Sequence, residues 1–87
     1  MHDTKAKLIA NNGLKCMLCG EVLPYRKLQW HHIKWRSICR AEEVPIDNSY
    51  ENGLLLCVIC HSYIHTLDYN SKEYNFLMEE AKKNKEP

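Results

Sequence analysis

Two cysteine pairs constrain this chain more than any other feature: Cys16-x-x-Cys19 and, well downstream, Cys57-x-x-Cys60. A two-residue gap lets a tight turn aim two sulfurs at one point, and zinc takes four such ligands in a tetrahedron. A shell closed by four thiolates has no open position, so the pattern reads as a structural zinc site rather than a catalytic one. A redox reading would want a thioredoxin-like strand-helix-strand context around a pair, and that context is missing. Cys39 has no partner at this spacing and reads as a spare thiol. Some staple is needed, because a chain of 87 residues buries too little surface for its core to suffice alone.

The preference for zinc over disulfides follows from compartment. The first residues mix polar and apolar types with no uninterrupted run of signal-peptide length, and no apolar run approaches membrane-spanning length. The expectation is a cytoplasmic protein with no membrane association, in a reducing environment where paired cysteines hold metal. The net charge of +1 is uninformative, but its distribution is uneven. Arg26, Lys27, Lys34, Arg36 and Arg40 fall in a stretch without acidic residues, followed by Glu42, Glu43, Asp47 and Glu51. One surface is therefore expected to meet phosphates, the plain alternative being ordinary solvated charge.

Local signals outline a single small α+β domain over residues 1–87, with its core in 16–66. Thr4 is placed to cap a helix running to about Asn12, with Leu8 and Ile9 as apolar contacts and Gly13 as its left-handed terminus. Cys16 to Gly20 reads as a turn that needs glycine to reverse, and Pro24 breaks regular structure. Residues 28–33 form a candidate strand in which Leu28, Trp30 and His32 alternate with Gln29, His31 and Ile33, and residues 54–58 form a second. The connection of about twenty residues between them is long enough to suggest a functional loop. A helix is expected from His61, and Ser71 caps a last helix over 71–85. There Tyr74, Leu77, Met78 and Ala81 form a core stripe, while the lysine-rich end from Lys82 to Pro87 frays.

Histidines carry the second strong signal. His31 and His32 are adjacent, and His61 and His65 lie one turn apart on one face of the expected helix. Imidazole is the commonest protein ligand for transition metals, and an i, i+4 pair can grip one ion. The zinc pairs also bring these residues together, since Cys60 precedes His61 and the first pair precedes the strand bearing His31 and His32.

The order CxxC, then Trp30-His31-His32-Ile33, then Asn52-Gly-Leu-Leu-Leu-Cys57-x-x-Cys60-His61-x-x-x-His65, resembles the zinc-containing HNH endonucleases. The resemblance spans residues 16–65. It implies a ββα-metal fold, two strands and a helix around one divalent cation, that hydrolyses DNA phosphodiesters to 5′-phosphate and 3′-hydroxyl products. By this match His32 is the general base, His31, His61 and His65 are cation ligands, and Asn52 braces the loop between the strands and so orients His32. An imidazole titrates near neutral pH, which suits a base.

Two departures sharpen the expectations. Many members of the family have aspartate where this chain has His31, so an all-nitrogen shell favours Zn, Ni, Co or Mn relative to Mg. Strict strand alternation also sends His31 and His32 to opposite faces, so both can serve one phosphate only from a strand end or irregularity. A proline common after the histidine pair is replaced by Lys34, Trp35 and Arg36.

The basic residues would bind DNA without reading sequence, so any site selection falls to a partner, such as a packaging protein, or to the short terminal segments. Double-strand cleavage, as opposed to nicking, would need a homodimer or two encounters. Small nucleases of this kind serve bacteria and phages, which sets the expected cytoplasm as that of a bacterial or phage-infected cell. Trp30 is expected to pack beside the zinc knuckle. The rival reading is a non-catalytic zinc-ribbon-like module binding nucleic acid or protein, which requires the cysteines alone and leaves the histidines unexplained.

Overall fold

The computed structural model describes residues 3–85, and its architecture is a two-stranded antiparallel sheet held among four helices. Helix α1 (Asp3–Asn12) buries Leu8 completely and ends where Gly13 adopts φ +80° and donates its N–H to Ile9 O at 2.8 Å. Thr4 is not its cap: it lies inside the helix, and its hydroxyl donates to the Asn48 carbonyl. A side chain expected to satisfy its own helix end serves a tertiary contact instead.

The turn after α1 is closed by Cys16 N–H on Glu21 O and Gly20 N–H on Cys16 O, both 2.9 Å, with Gly20 at φ +81°. Past Pro24 a single 3₁₀ turn (Tyr25–Lys27) leads into β1 (Leu28–His32), which pairs with β2 (Gly53–Cys57) in the register Leu28↔Cys57, Trp30↔Leu55 and His32↔Gly53. Both strands stop or start one residue from the expected bounds. Ile33 lies beyond β1 yet still donates its N–H to Asn52 O at 2.8 Å. Val58 belongs to the next helix.

The connection between the strands is not a plain loop. It contains helix α2 (Arg36–Ala41) and a 3₁₀ turn (Tyr50–Asn52). Helix α3 (Val58–Ile64) begins three residues before the expected start at His61, because Cys57 is its N-cap and its sulfur accepts the Cys60 N–H at 3.4 Å. Helix α4 (Lys72–Lys83) starts as expected at Ser71, whose hydroxyl accepts the Tyr74 N–H at 3.2 Å.

A two-stranded ribbon is not stable alone. Here α1 and α3 pack on the sheet, and Leu8, Leu28, Leu54, Leu55, Leu56, Ile64, Tyr74, Met78 and Ala81 make one buried cluster with Cys16 and Met17. The cysteine turn is stitched to β2 by Met17 N–H on Leu55 O at 2.8 Å, and to the end of α4 by Asn84 Nδ2 on Met17 O at 2.8 Å. The chain end is also tied down further than expected. Lys85 Nζ donates to Gly53 O at 2.8 Å and to Tyr50 O, whereas residues 86–87 of the segment expected to fray lie outside the described residues. Among the described residues no helix is long and apolar enough to cross a membrane.

Candidate functional site

The turn after α1 presents Cys16 and Cys19, and the junction of β2 with α3 presents Cys57 and Cys60. The four sulfurs lie within 4.8 Å of one another, with Cys19 and Cys57 at 3.9 Å. A tetrahedron of Zn–S bonds of about 2.3 Å sets its sulfurs about 3.8 Å apart. The group could hold a metal ion, and its size and softness fit zinc. Cys19 N–H and Cys60 N–H each point at the sulfur three residues back, Cys16 Sγ and Cys57 Sγ, at 3.4 Å. Burial raises the Cys16 thiol, but backbone hydrogen bonds from Cys19, Cys57 and Leu18 outweigh it and bring the value down to about 7. Burial and the neighbouring sulfurs push Cys60 the other way. Thiolates this close repel one another, and a bound dication would offset that repulsion. Cys39, buried on α2, stands apart from them.

Across the sheet the histidines converge. His31 from β1 and His61 and His65 from α3 and its end bring one ring nitrogen each within 4.8 Å of the others, and His61 Nε2 lies 3.1 Å from His65 Nε2. That spacing suits two imidazoles on one ion, because metal–nitrogen bonds of about 2.0–2.1 Å in a tetrahedron separate ligands by about 3.3 Å. The two less exposed rings are anchored from behind. His61 Nδ1 meets Gln29 Oε1, and His31 Nε2 lies 2.9 Å from the Tyr74 hydroxyl. Burial, then the charges of His61, His65 and His32, lower the His31 pKa from 6.5 to about 3. Burial also lowers that of His61 and raises that of the Tyr74 phenol. Neutral imidazoles are the form that binds metal.

His31 and His32 alternate as strand geometry demands. His32 is the last residue of β1, shares a face with Trp30 and stacks on its indole at 4.5 Å between centroids. Trp30, expected beside the cysteine turn, thus covers the ring of His32. Despite the alternation both histidines reach one cleft of about 350 Å³, lined by His31, His32, His61 and His65 together with both tryptophans and Arg36, Ser37 and Arg40. His32 Nε2 lies 2.8 Å from Asn48 Oδ1. An amide oxygen only accepts, so Nε2 carries the hydrogen and Nδ1 keeps the lone pair.

Asn52 is buried at the base of the connection. Its Oδ1 accepts Lys34 N–H at 2.8 Å and its Nδ2 donates to Asp47 O at 2.9 Å, joining the chain just after His32 to the chain just before Asn48. Of the five basic residues, two line the cleft. Arg36 and Arg40, one turn apart on α2, line the cleft; Lys34 is 2.7 Å from Glu42, and Arg26 and Lys27 sit on the 3₁₀ turn before β1, outside the cleft lining. Sequence reasoning missed Asn48, Gln29, Ser37 and the hydroxyl of Tyr74. For Gln29 a signal existed, because alternation put it on the face of His31.

Compared with known proteins, the chain matches no family model, no curated protein and no solved structure.

Proposed function

We propose that the chain is a metal-dependent endonuclease of the HNH type that hydrolyses DNA phosphodiester bonds, leaving 5′-phosphate and 3′-hydroxyl ends. The observation that carries this reading is the cleft itself: three histidines with ring nitrogens within 4.8 Å share it with a fourth histidine and two arginines. A binding module stapled by its cysteines needs no such constellation.

In this reading zinc on Cys16, Cys19, Cys57 and Cys60 holds the fold, and His31, His61 and His65 hold a second cation. A cation held there would supply Lewis-acid stabilisation of the charge that develops on the phosphate as its bond to the 3′ oxygen breaks. His32 takes the proton of the attacking water at Nδ1 while Asn48 keeps Nε2 protonated and the ring oriented. Asn52 acts one step further back by fixing the backbone on both sides of that pair. Arg36 and Arg40 hold neighbouring phosphates, which gives salt-sensitive binding with little sequence preference. With three nitrogen ligands, Mn, Ni or Zn are favoured over Mg.

The test is cleavage of supercoiled plasmid with Mg, Mn, Ni or Zn, wild type against His32→Ala. The expected outcome is metal-dependent nicking that falls by about 10²–10⁴-fold in the variant, the usual worth of a general base. Absence of cleavage with every metal, from folded zinc-loaded protein, would instead support the binding-module reading.

A further inference from the structure

The Tyr74 hydroxyl has three hydrogen-bonding positions, one donor and two acceptors, and all three are committed. It donates to the Ile33 carbonyl at 2.7 Å, which can only accept. It accepts from Trp35 Nε1 at 2.9 Å, an indole N–H that can only donate. The remaining lone pair faces His31 Nε2 at 2.9 Å. With its proton already given to Ile33, the phenol has none for the imidazole, so His31 must donate from Nε2. The lone pair of His31 then resides on Nδ1. On the opposite partner the bookkeeping runs the other way: Gln29 Oε1 accepts at His61 Nδ1, leaving Nε2 as the lone-pair nitrogen.

We propose that Tyr74 is a positioning residue that fixes the His31 tautomer, so that His31 offers Nδ1, while His61 offers Nε2, to a cation between them. The proposal rests on the reading of the three histidines as a cation site. Tyr74 lies on α4, 43 positions from His31, so this gives the last helix a part in the site beyond packing. Trp35 serves twice in the arrangement, since its ring lies 4.9 Å from that of His65 while its N–H holds the phenol. Groups behind a ligand that set its tautomer change metal affinity by about 10–100-fold when removed.

The test uses full-length protein with zinc on the cysteines and Co or Ni titrated into the histidines, read by visible absorption, together with ¹⁵N NMR of the imidazoles. Wild type is expected to bind one ion, with the His31 Nδ1 resonance shifted by metal and Nε2–H slow to exchange. Tyr74→Phe, which keeps the ring in the core, is expected to bind about 10–100-fold more weakly and to lose the slow Nε2–H. Unchanged affinity with an unchanged His31 signature in the variant would overturn the proposal, as would coordination of wild-type His31 through Nε2. The second measurement needs no variant, so it decides the matter even if Tyr74→Phe does not fold. Failure of wild type to bind any ion at the histidines would overturn this proposal and the nuclease reading together. Tight binding without plasmid cleavage would overturn the nuclease reading alone.

Discussion

A histidine as enclosed as His31, 1 % exposed, makes stability depend on pH in a direction that can be worked out. Its pKa falls from 6.5 in the unfolded chain to about 3 in the folded one, burial being the main cause. Between those values the unfolded chain binds a proton that the folded chain refuses, so stability is full above 6.5 and is lost as pH falls toward 3. In denaturant titrations of protein holding one zinc, His31 should therefore add up to about 1.4 kcal/mol per pH unit to the loss of stability below pH 6.5, on top of that from the zinc thiolates, and His31→Gln should make the slope shallower by that part alone. Residue identities were the most legible layer of this molecule. The cysteine pairs and four histidines announce themselves by type and spacing; the structure gathers the four sulfurs and three of the imidazoles, and sets His32 in the same cleft. What could not be read were the partners behind them. Asn48 beside Asp47 looks like turn chemistry, and Tyr74 looks like one more apolar rung, because their hydrogen bonds reach across 16 and 43 positions that only the folded chain closes.

The strands and helices were legible where a local signal ends them, as at Gly13 and Ser71, and obscure where it does not. Helix α2 has no side-chain cap hydrogen bond and buries Cys39 alone, so a six-residue segment shows neither a boundary nor an apolar stripe. Helix α3 is capped by a cysteine sulfur instead of the usual hydroxyl or carboxylate, which moved its apparent start to His61. Glycine at position 53 has a reason of its own. Its φ of −111° suits any residue, but a Cβ there would sit 2.9 Å from Trp30 Nε1 and 3.1 Å from Leu8 Cδ1. Gly53→Ala should cost about 1–3 kcal/mol in chemical denaturation, as overpacking does. Because Trp30 stacks on His32, the same change should also alter tryptophan fluorescence.

At the level of the whole molecule, a two-stranded sheet and four short helices leave a core too small to be self-sufficient. Structural zinc contributes about 10–16 kcal/mol in small domains, comparable to or above the whole stability of a typical one. Chelation, or Cys60→Ser, is accordingly expected to abolish the cooperative thermal transition followed by circular dichroism. One equivalent of zinc should restore it in wild type alone. The cysteine and histidine clusters are separated by a single peptide bond, between Cys60 and His61, on one continuous helix. That shared helix works like a vernier. Each residue along it turns the face by about 100° and advances it by about 1.5 Å. A single insertion between positions 60 and 61 would leave every cysteine and histidine present and swing His61 and His65 away from His31. The identity of exposed positions such as Ser62 and Tyr63 therefore matters less to the two clusters than the number of residues between Cys60 and His65.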